Sequence, residues 1–286
     1  MGEGVTLVTA EVIDAHQHFW DLQLFDYPWM TGPAEPLRRN YLPADLKPIL
    51  NDAGVSRTVV VQATQSLAES RWLLQLAASH DFIAGAVVWV DLTSPALGGI
   101  LDELQAQRKF CGIRHLVHDE PDEAWIIRSD VLAGLKELER REIPYDLLLR
   151  PQHLKYIPRV RERCPGLRMV LDHIGKPRIV EKALDGWVQD LETIARLPGL
   201  WCKLSGMITE ADWRHWTPAD LKPYVEHVIR QFGYGRIMFG SDWPVCTLAG
   251  SYSQVVEALR QALGPLNPAD GAKVWGENAR VFYRLP

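Results

Sequence analysis

Two imidazoles, His16 and His18, stand two residues apart at the end of an apolar run, Val12-Ile-Asp-Ala-His-Gln-His-Phe-Trp. On an extended strand, residues so spaced point to one face, roughly 6.5–7 Å apart along the chain. Such a pair can converge on one metal ion, with bonds of about 2.0–2.1 Å to zinc. A His-x-His pair is common and often structural; its place at the end of a first strand is what marks this one. Further polar residues recur at the ends of later apolar runs: Arg114 and His115, Arg150, Asp172 and His173, Lys203 and Ser205, Ser241 and Asp242. Charges buried without partners are costly. A ring of them at matching places therefore points to a polar site rather than to packing.

The elements that would carry this ring are eight short apolar runs, at residues 12–19, 57–63, 83–90, 111–117, 144–150, 168–174, 201–207 and 237–243. Most are rich in Val, Ile and Leu with little strict alternation, as parallel strands buried on both faces are. The segments between them read as helices. Thr217-Pro218 supplies an N-cap and a first-turn proline, with Gly233 as the stop, and Ser94-Pro95 predicts a second start of the same kind. Residues 70–80 and 130–142 carry apolar residues at helical spacing. Eight strand–helix units predict an α/β fold, a (β/α)8 TIM barrel forming a single domain over residues 1–286. Neither GxGxxG nor a Walker loop follows the first strand, which argues against a doubly wound open sheet. In a barrel, the strands' C-terminal ends are where active sites form. One connection is long. Residues 20–56, a β1α1 insertion holding Tyr27, Pro28 and Trp29, read as helical only at 45–53, and would serve as a pocket wall or as a self-packed surface loop.

The 286 residues carry 31 basic and 36 acidic side chains, a net charge of −5, with no basic block. Nucleic acid and anionic membranes are thereby disfavoured as partners. No apolar run reaches the roughly 18 residues of a membrane span. The opening residues 1–16 lack a basic and then apolar leader pattern, so no signal peptide is expected. Cys111, Cys164, Cys202 and Cys246 are scattered and read as reduced apolar fillers, giving a cytoplasmic protein as the default.

The segment 12–18 resembles the opening strand motif of the amidohydrolase superfamily, and Met238-Phe-Gly-Ser-Asp-Trp-Pro its last strand. Other segments are similar to the sugar-lactone hydrolase branch. They are Asp14-Ala-His-Gln-His-Phe-Trp with Asp26-Tyr-Pro-Trp, Gly112-Ile-Arg-His, Leu171-Asp-His-Ile-Gly-Lys-Pro, Lys203-Leu-Ser-Gly, Gly240-Ser-Asp-Trp-Pro and Asn278-Ala-Arg-Val-Phe-Tyr-Arg-Leu. That branch includes L-fuconolactonase and L-rhamnono-lactonase, as well as dicarboxy-pyrone and sulfomuconolactone hydrolases. The resemblance spans essentially the whole chain and implies a hydrolase that opens a lactone ring, most simply a sugar lactone.

The resemblance also assigns roles. Asp242 is implied as the general base, with His16 and His18 beside it, and His16, His18 and Asp242 as the ligands of one divalent ion, zinc or manganese. The sequence departs from the two-metal pattern: the fourth strand ends in Arg114-His115 rather than a bridging lysine or glutamate, and the fifth in Leu149-Arg150 rather than a histidine. One ion, or metal-independent chemistry, is what remains. Substrate contacts are expected from Arg114, His173, Lys203, Arg150, Trp29 and Trp243. By strand alternation only one of Arg114 and His115 points inward, and Asp172 would turn outward to Lys176 or a helix. His80, His118, His153, His215 and His227 read as surface or loop residues. The partner is a small-molecule lactone, with a homo-oligomer left open. The rival readings are a carboxylated pyrone or muconolactone as substrate, a decarboxylase of the same superfamily, or a binding protein without turnover.

Overall fold

The computed structural model describes residues 11–286; residues 1–10, most of the opening segment read above for a leader, lie outside the described residues. Eight parallel strands follow one another around a barrel: β1 Ile13–Gln17, β2 Arg57–Val61, β3 Ile83–Val88, β4 Phe110–His115, β5 Tyr145–Leu147, β6 Met169–Leu171, β7 Leu200–Leu204 and β8 Ile237–Phe239. Each pairs with its sequence neighbour. The ring closes between β8 and β1, where the His18 amide donates to the Trp243 carbonyl (2.7 Å) and the Asp242 amide to the His16 carbonyl (2.8 Å). Each of the eight expected runs coincides with a strand, β4 and β7 starting one residue earlier, and each strand is shorter than its run because the last residues turn away into the loops that build the site.

A helix follows every strand: α1 Pro43–Ala53, α2 Leu67–Ser79, α3 Leu97–Gln105, α4 Ser129–Arg140, α5 Ile157–Arg163, α6 Trp187–Ala195, α7 Pro218–Phe232 and α8 Tyr252–Leu263. α7 starts and stops where its caps place it: Asp220 accepts from the Thr217 amide (2.9 Å), and Gly233 follows at φ +64°. α3 begins two residues later than Ser94-Pro95 implied. The Ser94 amide donates to Asp91 and its hydroxyl accepts from Ala96, so the polar turn is completed before the helix. Two short helices, α9 Pro268–Ala272 and α10 Asn278–Tyr283, end the chain. Phe282, Tyr283 and Leu285 pack against Val59, Val61, Val87, Cys111, Val170 and Met238, an apolar cluster separate from the larger one between strands and outer helices. The cysteines are buried and unpaired. No helix among the described residues is long and apolar enough to cross a membrane.

The β1α1 insertion is better ordered than its sequence suggests. It adds a 3-10 turn, Gly32–Leu37, and packs Trp20, Tyr27 and Tyr41 into the core. Trp29 Nε1 ties it to the Ala63 carbonyl (2.8 Å), in the turn where the buried Glu69 carboxyl of α2 accepts from the Ala63 and Thr64 amides (3.2 Å each). Burial pushes the Glu69 carboxyl up to about 8, against an ordinary 4.5. Because the folded value lies above the unfolded one, this contribution to stability is full below about pH 4.5 and is lost as pH rises towards about 8. Glu69→Gln is therefore expected to melt higher relative to wild type at about pH 9 than at about pH 6. A thermal-melt difference that does not change with pH would refute the assignment.

Candidate active site

The C-terminal ends of the strands surround a cavity of about 390 Å³, a volume suited to a small organic molecule. At its base three expected residues meet. His16 Nε2 and His18 Nε2 are 3.2 Å apart, and Asp242 Oδ1 lies 3.3 Å from His18 Nε2 and 3.7 Å from His16 Nε2. His18 Nδ1 donates to the Val61 carbonyl (2.8 Å), which leaves its Nε2 as a lone pair. His16 Nδ1 lies 3.1 Å from Lys203 Nζ and 3.4 Å from Asp172 Oδ1; only with its proton on Nδ1, towards Asp172, does His16 turn a lone pair on Nε2 to the triangle. Zinc bonds of about 2.0–2.2 Å in a tetrahedron put neighbouring donors about 3.3–3.6 Å apart. Two imidazole lone pairs and a carboxylate at the observed spacings fit one such ion.

The backbone explains how these side chains converge. Asp14, buried on β1, accepts hydrogen bonds from the His16 amide (3.0 Å), the Ser241 amide (2.8 Å) and the Tyr252 hydroxyl (2.9 Å). It thus ties the ends of β1 and β8 together beneath the triangle. Asp242 itself sits at φ +59°, a left-handed conformation uncommon outside glycine. Burial alone would push the Asp242 carboxyl up, but His173, His18 and Lys176 hold it below its ordinary value, so it is a carboxylate at neutral pH. Burial, and then Lys203, push His16 well below the usual histidine value, keeping it neutral.

β6 departs from strict alternation. Asp172 does not turn outward to Lys176; it lies inside the barrel, wholly buried, with Arg114 Nη1 at 3.1 Å and Lys203 Nζ at 3.0 Å. The strand ends at Leu171, and His173 and Ile174 then take positive φ (53° and 50°), so two consecutive side chains enter the site. Lys176 pairs instead with Glu210 (2.6 Å). His173 reaches the cavity, its Nδ1 2.9 Å from Ser205 Oγ and its Nε2 3.9 Å from Asp242. Room for that ring comes from Gly206, at φ +58°, where a Cβ would fall 2.5 Å from His173 Nδ1. Gly206→Ala is expected to cost roughly 10²-fold in kcat/KM by displacing His173. Gly54→Ala imposes a similar φ (+68°) with open space around it and should leave kcat/KM unchanged. Equal losses in the two variants would show that His173 placement is not what Gly206 protects.

Of the other expected contacts, Arg114, Arg150 and Trp29 line the cavity, and Trp29 Nε1 donates to the Ala63 carbonyl (2.8 Å). Trp29, Thr31, Pro33 and Ala34 make the insertion part of the cavity wall. Arg114 points inward, donating to the Gln62 carbonyl (2.5 Å) as well as to Asp172, while His115 turns away to Trp89, Glu120 and the face of Trp125. Two expectations are corrected. Lys203 is not on the wall: it is fully buried beneath the triangle, between Asp146 and Asp172, because β7 points it into the barrel axis below the strand ends. Trp243 is 2% exposed and packs on Phe19 and Tyr41, since the loop after Asp242 turns its ring towards the insertion.

Several wall residues carried no expectation. His118, set aside as a loop residue, lines the cavity with Asp119, Thr209, Glu210 and Trp213. His153 and His227, also set aside, are buried. The wall residues lie in the connections after β4 and β7, where no periodicity betrays them, whereas His227 lies on the buried face of α7. Asp146 had a signal, a lone carboxylate within the apolar run 144–150.

Known proteins match this chain over nearly its whole length. The family model described as amidohydrolase matches residues 13–285. L-Fucono-1,5-lactonase of Burkholderia multivorans is 37% identical over 285 residues, 96% of this chain and 96% of that protein. The protein of the same name from Burkholderia ambifaria is 36% identical over 277 residues, 96% of this chain and 95% of its own. A crystal structure of an amidohydrolase from Burkholderia multivorans with bound zinc superposes with a TM-score of 0.92 at 36% identity, covering 97% of this chain and 100% of that one.

Proposed function

Because the chain belongs to the amidohydrolase family, we propose that it is a hydrolase that opens the ring of a neutral sugar lactone, with Asp242 as the base. The observation that carries this is the triangle of His16 Nε2, His18 Nε2 and Asp242 Oδ1 at the base of a small-molecule cavity. Relatives at 36–37% identity named L-fucono-1,5-lactonase support the substrate class.

Lactone opening adds water to the carbonyl carbon, breaks the ring C–O bond and releases a hydroxy acid, which ionises to a carboxylate and a proton. Asp242, held as a carboxylate, accepts the proton as the water adds. Arg114 and His173 lie on the cavity wall to receive the developing oxyanion. Protonated Asp242 then returns the proton to the ring oxygen as it leaves. His16, His18 and Asp242 would hold zinc, which supplies Lewis acidity and brings a bound water's pKa to about 7.

The charge distribution favours a neutral ring over a dicarboxylate. Among the cations of the described wall, Arg114 is neutralised by Asp172 and Lys176 by Glu210, which leaves Arg150 without a carboxylate within 4 Å. The polar residues His118, Asp119, Arg150, Lys176, Thr209 and Glu210 belong to consecutive loops after β4 to β7 and suit hydroxyl groups. Trp29, Pro33 and Leu248, from the loops after β1 and β8, offer an apolar face to the ring. With its cysteines buried and unpaired, we place the enzyme in the cytoplasm.

Proton NMR of L-fucono-1,5-lactone with the enzyme tests this reading. The open-chain acid should appear far faster than by spontaneous opening, with one proton released per ring and no CO₂. A rate equal to the spontaneous one for this and other aldonolactones would refute the proposal, and CO₂ release from an unsaturated acid would favour the decarboxylase.

A further inference from the structure

Two potential sets of metal donors overlap at His16: His16, His18 and Asp242, and His16, Asp172 and His173. Two members of the second set, Asp172 and His16, already face a cation that the chain itself supplies. Lys203 Nζ lies 3.0 Å from Asp172 Oδ1, 3.1 Å from His16 Nδ1 and 2.6 Å from Asp146 Oδ2. The Tyr283 hydroxyl donates to that same Asp146 oxygen (2.7 Å), and its ring lies 5.4 Å from Nζ. Lys203, Asp146 and Asp172 are all 0% exposed.

Burying an ammonium is unfavourable unless anions surround it closely, and here they do. Two carboxylates, Asp146 and Asp172, face two cations, Lys203 and Arg114, so the cluster is neutral with His16 uncharged. Asp172 is shared between Lys203, Arg114 and the Nδ1 edge of His16, which fixes the side of that ring away from the cavity. Among the described residues no other basic side chain reaches Asp146.

We propose that the Lys203 ammonium is an internal cation standing where a second metal ion would bind, and that it limits the centre to one ion while holding His16 in register. Lys203 is thus a positioning residue rather than a substrate contact, acting through Asp172 and His16. The proposal rests on the reading of His16, His18 and Asp242 as an ion site.

Zinc uptake by the full-length protein, measured by elemental analysis after equilibrium dialysis, is the first readout. Wild type should saturate at one zinc per chain; two per chain would overturn the proposal. Lys203→Ala should weaken zinc binding and lower kcat by about 10–100-fold each, with KM within about threefold. Millimolar methylammonium should restore part of both, whereas tetramethylammonium, which has no N–H to donate, should not. A Lys203→Ala enzyme with unchanged zinc affinity and kcat, or one in which KM alone rises, overturns the proposal. If that variant does not fold, Asp146→Asn/Lys203→Met removes one charge of each sign and keeps the cluster neutral. This pair should fold yet show the same loss of zinc affinity; wild-type affinity and kcat in it would overturn the proposal. A wild type that takes up no zinc defeats the ion reading, and methylammonium rescue of kcat then decides the positioning role alone.

Discussion

Asp242→Asn is expected to lower kcat for lactone opening by about 10²–10⁴-fold, with KM changed by no more than a few fold. The amide keeps the size and most hydrogen-bonding geometry of the carboxylate, so the left-handed turn at residue 242 and the packing beneath it should survive. What is lost is the lone acceptor of the water's proton. His173 and His18 stand close by but cannot replace it: His18 Nε2 belongs to the triangle, and burial holds His173 well below the usual histidine value, a poor base. A steady-state comparison at saturating lactone checks the outcome. If kcat fell less than tenfold, another group would be the base.

The largest effect on stability is expected from Arg114→Met. The change fills similar space but leaves Asp146 and Asp172, both fully buried, facing one ammonium. Breaking a buried ion pair from one side typically costs about 3–5 kcal/mol, roughly 5–10 °C in melting temperature for a chain of this size. Asp172 then loses the partner that balances it. The carboxylate is held well below its ordinary value by Lys203, His16 and Arg114 acting against burial, so it cannot readily neutralise itself by taking a proton near neutral pH. Arg114→Lys should recover less than half of the loss, because a point charge cannot reach Gln62, Asp172 and His16 together. A melting temperature within 2 °C of wild type for Arg114→Met, where about 5–10 °C is expected, would mean that the cluster is not charge-balanced as described.

The strands were legible because parallel strands covered on both faces leave uninterrupted Val, Ile and Leu runs, and the polar residues at their ends stood out against that background. His16, His18 and Asp242 could be grouped for the same reason, with the family resemblance supplying the role of Asp242. Period-2 alternation failed where the strand itself stopped. Asp172 and His173 both enter the barrel because the backbone after Leu171 leaves the extended region, a change that an Asp-His-Ile sequence does not announce. Lys203 looked like a substrate contact because depth along a strand cannot be judged from sequence; one residue pair lower, a cation meets Asp146 rather than the cavity. The wall residues His118, Asp119, Thr209 and Glu210 sit on loops whose placement depends on the whole barrel.

The cavity above the His16–His18–Asp242 triangle, with most of its wall cations neutralised, should select neutral sugar lactones. The most direct measurement is kcat/KM for L-fucono-1,5-lactone and for 2-pyrone-4,6-dicarboxylate, determined side by side by proton release at one pH and one zinc concentration. The neutral lactone should be preferred by at least about a hundredfold, since two carboxylates would face one unpaired arginine on the cavity wall. Equal values, or a preference for the dicarboxylate, would contradict the account.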